Sequence, residues 1–69
     1  MKKLYLLEWY IESTEQIKRR LYSDKDEAEC YYFALETALS GGWIALQELE
    51  EENPERGFVK GDTLRYKEI

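Results

Sequence analysis

Residues 4–11, Leu-Tyr-Leu-Leu-Glu-Trp-Tyr-Ile, constrain the fold of this chain more than any other segment. The segment is rich in aromatic and bulky apolar residues and contains neither glycine nor proline, which is typical of a β-strand. Its odd positions, from Tyr5 to Ile11, are all apolar, whereas its even positions are mixed. Because successive side chains of a strand point to opposite faces, the odd positions are predicted to pack against the core.

A second strand is predicted over residues 16–22, where it forms a hairpin with the first. We expect a three-residue loop, because this register places Ile17 and Leu21 on the core face. The same register pairs Glu8 with Arg20 on the other face as opposite charges. A two-residue loop would instead turn basic side chains towards the core, which a buried face does not accept.

A helix is predicted over about residues 24–40, with acidic residues in its first turn and Gly41-Gly42 as its stop. The cap is expected at Ser23, which has an acid three residues later. At 100° per residue, one apolar stripe of this helix should meet the sheet. The stripe consists of Ala28, Tyr31, Tyr32, Leu35 and Leu39.

Two further strands are predicted over residues 43–50 and 62–68, with an acidic loop over 50–57 between them. The sequence leaves open whether Trp43, Ala45 and Leu49 or instead Ile44 and Leu46 face the helix. Phe58 and Val59 are expected to tuck against the sheet.

The predicted fold is a single small α+β domain of 69 residues with the order β-β-α-β-β. The predicted elements are strands at about residues 3–12, 16–22, 43–50 and 62–68 and a helix at about 24–40. A right-handed crossover from the second strand to the third gives a four-stranded antiparallel sheet with the order 2-1-3-4. One helix then packs on one face of this sheet.

Charge is concentrated in the middle of the sequence. The chain has a net charge of −5, and residues 24–55 contain ten acids and a single base. A phosphate backbone would be repelled by this segment, so general nucleic-acid binding is not expected. The acidic residues at 48–55 could serve a basic partner, and the sequence does not decide whether they do.

Catalytic and metal-binding patterns are missing from the sequence. The chain has no histidine and one cysteine, which excludes a histidine general base, a Ser-His or Cys-His pair and a Cys/His zinc site. The acidic stretch from Asp24 lacks the glycine and the final glutamate of a calcium loop. We therefore expect no enzyme activity, no cofactor and no metal.

More apolar surface is predicted than one helix can cover. Apolar residues are expected on the far face of the sheet and on the outer side of the helix, and contiguous apolar patches mark interfaces. The candidate interface residues are Leu4, Leu6, Tyr10, Tyr22, Cys30 and Phe33. The first hypothesis is therefore a non-enzymatic protein that acts through protein–protein association, as a homodimer or with a basic protein partner.

The alternative hypothesis is a module that binds single-stranded nucleic acid on the open sheet. Aromatic side chains on a sheet can stack unpaired bases, while basic side chains neutralise the phosphates. The candidate residues for this role are Tyr10, Tyr22, Lys18 and Arg20.

A cytoplasmic location is expected for the chain. The apolar stretch after Met1-Lys2-Lys3 ends at Glu8 and is too short for a secretory signal. A single cysteine, Cys30, is compatible with a reducing compartment. No apolar run approaches the length of a membrane span, and no membrane partner or small-molecule substrate is evident.

Overall fold

The computed structural model describes residues 3–53 and 55–69. Its elements are β1 Lys3–Ile11, β2 Gln16–Tyr22, α1 Lys25–Ala38, β3 Gly42–Asn53 and β4 Gly57–Glu68. The four strands form one antiparallel sheet in the order β2-β1-β3-β4, and α1 packs on one of its faces. The predicted α+β fold, with its ββαββ order and its 2-1-3-4 sheet, is confirmed.

The core lies between α1 and the two central strands. Leu7 of β1 and Ile44 and Leu46 of β3 are fully buried, and they pack against Ala28 and Tyr32 of α1. Burying a large aliphatic side chain contributes about 1.5–3 kcal/mol to stability, so these three residues carry much of the sheet–helix packing. The open question about β3 is thereby decided, since the Ile44 side of the strand faces the helix.

The ends of α1 differ from the prediction. Asp24, not Ser23, caps the helix, and its Oδ1 accepts a hydrogen bond of 3.1 Å from the backbone N–H of Asp26. The helix ends at Ala38 without a glycine stop, because Leu39 turns to an extended backbone with φ −77° and ψ 136°. The carboxylate cap is the stronger acceptor at the positive end of the helix dipole.

The register of the first hairpin also differs from the prediction. Leu7 lies opposite Arg20 rather than Leu21, because the loop has four residues instead of three. Glu15, the last loop residue, has φ 53° in the left-handed region. The placement of Ile17 and Leu21 on the core face is therefore wrong, and they point away from α1 with 50% and 56% exposure.

The position of β2 at the edge of the sheet explains this register. Turning Lys18 and Arg20 towards the helix side would be unfavourable if the helix covered that side of β2, but both residues are exposed. The Arg20 guanidinium lies 5.8 Å from the ring centroid of Tyr31 on α1, so the helix side accepts it. An edge strand tolerates basic side chains that a covered strand would exclude.

The β3–β4 hairpin is longer than predicted, since both strands have 12 residues. The expected loop over residues 50–57 is mostly strand, and β4 begins at Gly57 rather than near residue 62. Two register shifts in the β3–β4 ladder, on either side of Gln47, place extra residues in β4. Pro54, predicted to lie in that loop, is outside the described residues, as are Met1 and Lys2.

Candidate functional site: the open face of the sheet

The side of the sheet that points away from α1, here called the open face, is the candidate functional site. Within the described residues no second layer packs on it. Its large apolar side chains are Leu4, Leu6, Tyr10, Ile17, Leu21, Trp43, Leu49 and Tyr66. A contiguous apolar patch of several hundred Å² marks an interaction surface on a small protein.

Cross-strand pairing arranges the centre of the open face in three rows. Opposite residues on neighbouring antiparallel strands share a face and lie about 4.5–5.5 Å apart. The upper row consists of Ile17, Tyr10, Trp43 and Glu68. The middle row consists of Arg19, Glu8, Ala45 and Tyr66. The lower row consists of Leu21, Leu6, Gln47 and Thr63.

The upper row carries an aromatic pair formed by Tyr10 and Trp43. Their ring centroids are 6.5 Å apart and their planes differ by 21°, which is a stacked arrangement. Ile17 lies beside Tyr10 on β2 and is half exposed. These three neighbouring side chains form an apolar cluster that contains two aromatic rings, and aromatic residues often anchor protein interfaces.

The lower row borders an open cleft of about 510 Å³. The cleft is lined by Leu6, Arg19, Arg20, Leu21 and Leu49. Beside Leu6 in the same row, the side-chain oxygen of Gln47 is buried and has no hydrogen-bond partner among the described residues. An unpaired buried acceptor costs about 1–3 kcal/mol, so a donor at this place would be favourable.

The middle row contains an ion pair. Glu8 Oε2 accepts a hydrogen bond of 2.7 Å from Arg19 Nε, and the Glu8 side chain is only 13% exposed. The predicted pairing of Glu8 with Arg20 is wrong because of the register shift. The centre of the open face is therefore electrically almost neutral.

The β4 end of the middle row presents Tyr66, which is 57% exposed. Its hydroxyl donates a hydrogen bond of 3.1 Å to Glu68. This bond to a carboxylate favours the neutral phenol and raises the pKa of Tyr66. The residue therefore offers an uncharged aromatic ring to a partner over the physiological pH range.

The structure brings together three of the predicted interface residues. Leu4, Leu6 and Tyr10 all lie on the open face. Tyr22 does not, because the shifted register turns it towards α1, where it is 8% exposed. Its ring stacks on Tyr31 with centroids 5.3 Å apart, so the placement of Tyr22 on the far face is corrected to a place in the core.

Cys30 and Phe33 lie on the outer side of α1, away from the open face. Phe33 is 45% exposed, and the Arg65 guanidinium lies 4.8 Å from its ring centroid. Arg65 also approaches Glu29 at 3.6 Å, so a cation–π contact and an ion pair cover part of this apolar side. Cys30 is an exposed free thiol.

The residues proposed for nucleic-acid binding are not assembled into one surface. Tyr10 lies on the open face, whereas Lys18, Arg20 and Tyr22 point to the helix side. Tyr22 is also buried and cannot stack a base. A strand of nucleic acid lying on either face of the sheet would meet only part of the predicted set.

The acidic segment at residues 48–55 lies largely on the β3–β4 hairpin, and part of its charge is paired. Lys3 Nζ lies 3.1 Å from Glu48 and 3.6 Å from Glu50. Arg56 lies 3.3 Å from Glu52. These contacts lie outside the three central rows of the open face.

Sequence reasoning missed part of the open face. The sequence pattern predicts Ile17 and Leu21 in the core, although the run of three basic residues between them is also compatible with an edge strand. It does not decide the facing of Trp43 and Leu49, because both sides of β3 are apolar in sequence. No signal in the sequence pairs Tyr66 with Ala45, since that pairing depends on the bulges in β4.

The described residues contain no group of three or more cysteine, aspartate or glutamate side chains placed to hold a metal ion. Helical structure in residues 3–53 and 55–69 lacks the length and apolarity needed to cross a membrane. Comparisons with protein-family models, with curated proteins and with solved structures find no match to this chain.

Proposed function

We propose that this chain is a non-enzymatic, cytoplasmic protein that acts by associating with protein through its open face. The observation that supports the proposal is the set of exposed apolar side chains that the three rows place on either side of the Glu8–Arg19 ion pair. Ile17, Leu21 and Tyr66 are each at least half exposed on it. Water contact with this much apolar surface is unfavourable, and a protein partner removes it.

Association through the face is favoured over association through a strand edge. β2 carries Lys18, Arg19 and Arg20 in succession, and charged residues on an edge discourage the addition of another strand. The opposite edge strand, β4, pairs with β3 in a ladder that has three register shifts. Bulges twist an edge and leave its hydrogen-bonding groups out of line with a new strand.

The second hypothesis, nucleic-acid binding, has less support. Its basic and aromatic residues are divided between the two faces, and the open face has a neutral centre. To neutralise the phosphate backbone of a nucleic acid, several cationic side chains must lie in one groove. The cytoplasmic location is supported by the exposed thiol of Cys30, which a reducing compartment keeps free.

The proposal predicts that a charge on the open face abolishes association. In Leu21→Glu the new carboxylate would be desolvated in the interface, which is strongly unfavourable. In the control Ala34→Glu the same charge is added to an exposed position of α1. Chemical cross-linking in living cells, followed by measurement of the mass of the adducts, compares the two variants with the unmodified chain.

We expect the adducts to persist in Ala34→Glu and to disappear in Leu21→Glu. Circular dichroism of both purified variants should show that they are folded, because both substitutions are at exposed positions. Identical adducts in the two variants would contradict the proposed function.

A further inference from the structure

We infer that the open face is covered by a second copy of this chain, packed about a two-fold axis that runs along the middle row. The inference rests on the proposed function and names its partner. The two sheets would lie face to face with their strands running antiparallel between copies, within the aligned class of sheet packing. Two-fold interfaces use the same patch on both chains, so that patch must be complementary to itself.

The open face has this self-complementarity. The upper and lower rows lie two residues on either side of the middle row, or about 7 Å each. Rotation about the middle row therefore places the upper row of one copy over the lower row of the other. The Tyr10–Trp43 pair then lies above the cleft, whose lining residues are Leu6, Leu21, Leu49, Arg19 and Arg20.

The individual contacts produced by this rotation are chemically matched. Ile17 of one copy meets Leu21 of the other, which joins two half-exposed aliphatic side chains. Tyr10 meets Leu6. Trp43 meets Gln47, which packs an indole ring against a half-buried amide side chain.

The charges of the face also favour a second copy over a basic partner. The chain carries −5, but its acids are concentrated on α1 and the β3–β4 hairpin. At the axis each copy contributes Glu8 already bonded to Arg19 at 2.7 Å. The three rows contain two acids, Glu8 and Glu68, and one base, Arg19, so they offer a basic protein little negative charge. The axis brings Glu8 near Glu8 and Arg19 near Arg19, and the remaining N–H groups of each guanidinium can bond the Glu8 carboxylate of the other copy.

The area available is sufficient for a dimer. The central part of the sheet is four strands wide and as long as the nine residues of β1. With standard strand spacing and rise its footprint is about 550 Å² per copy, or roughly 1,100 Å² in total. Specific interfaces begin near about 1,000 Å², so the face can form a small but specific one.

A different two-fold axis would fit less well. An axis parallel to the strands would place the Tyr10–Trp43 pair of one copy on the same pair of the other. The cleft beside Leu6 would then stay empty in both copies, and unfilled space at an interface forfeits packing contacts. The middle-row axis fills both clefts at once.

The inference is tested by charge complementation. Leu21→Glu and Ile17→Lys each introduce one charge that has no partner in a dimer of identical chains. We expect each variant alone to weaken dimerisation at least about tenfold, since an unpaired charge is desolvated. In an equimolar mixture the introduced glutamate of one chain meets the introduced lysine of the other, while the second Ile17–Leu21 contact stays native.

Sedimentation equilibrium of each variant and of their mixture measures the dissociation constants. Recovery of a heterodimer in the mixture, to within about tenfold of the unmodified dimer, is the expected result. An unmodified chain that is monomeric at every concentration overturns the inference. Failure of the mixture to recover overturns the axis, while loss of association in the single variants still supports the proposed function.

A second measurement locates the axis without disturbing the apolar contacts. Position 66 lies on the proposed axis. In a Cys30→Ser background, a short bis-maleimide should therefore join the thiols that Tyr66→Cys introduces in the two copies. Lys60→Cys is the matched control on the same strand, roughly 25 Å from its own symmetry mate. Equal cross-linking of the two cysteine variants would contradict the arrangement.

Discussion

The different environments of individual tyrosines decide their roles. Tyr22 is buried against Tyr31, and burial raises its pKa because the phenolate would lose its hydration, although Arg20 nearby offsets part of this effect. Tyr32, also in the core, has its pKa raised mainly by burial. Tyr10, by contrast, stacks on Trp43 on the open face.

Tyr22 makes the fold sensitive to high pH. A group whose pKa is raised on folding contributes full stability below its unfolded pKa, near about 10 for tyrosine. That contribution is lost as the pH rises through the higher pKa of the folded state. We therefore expect urea denaturation to show a steep loss of stability above about pH 10.

Tyr22→Phe removes the ionising group and should reduce this alkaline loss, while the tyrosine ring is replaced by one of nearly the same shape. Measurements of the same variant at neutral pH provide the control, since Tyr22 is un-ionised there in both states. An equally steep alkaline loss in Tyr22→Phe would contradict the assignment of Tyr22 to the core.

At the level of elements, the connection from α1 to β3 depends on Gly42. This residue has φ 107°, and a Cβ added to it would lie 2.0 Å from the backbone oxygen of Tyr10 on the neighbouring strand. Gly57 begins β4 with φ 74°, but open space surrounds it. A side chain at position 42 would therefore meet both backbone strain and a steric clash, whereas a side chain at position 57 would meet backbone strain alone.

Gly42→Ala should destabilise the domain by about 3 kcal/mol or more, because strain and a clash with the β1 backbone add together. Gly57→Ala, which introduces strain alone, should cost about 1–2 kcal/mol. Urea denaturation of both variants measures the difference. Equal losses would show that the close approach of Gly42 to Tyr10 does not matter for stability.

On the scale of the whole molecule, the part of the chain that the structure describes has one helix and one sheet, and no second layer packs on the open face. The domain measures 39 × 23 × 15 Å, so it is a thin plate rather than a sphere. A small domain of this shape buries little apolar surface by itself, and association is a common way to increase that burial.

Thermal stability should therefore depend on protein concentration. Dimer formation stabilises the native state by mass action. We expect the Tm of the unmodified chain to rise by about 3 to 5 °C for each tenfold increase in concentration. Calorimetry of Leu21→Glu should give a Tm independent of concentration, and a constant Tm for the unmodified chain would argue against dimerisation.

The sequence determined the order of elements, the 2-1-3-4 sheet and the core face of β1, because these follow from local patterns and the handedness of one crossover. The odd positions of β1 are apolar throughout, so Leu7 could be assigned to the core directly. Leu4, Leu6 and Tyr10 were then on the other face by alternation alone.

The tertiary structure decided what alternation could not. The hairpin register depends on a four-residue loop with Glu15 in a left-handed conformation. This one-residue change in the register turns Tyr22 towards α1 and places Ile17 and Leu21 on the open face. The facing of β3 was open in sequence because both of its sides are apolar. Only the position of α1 over the central strands, with β2 left at an uncovered edge, determined which side chains are buried and which form the open face.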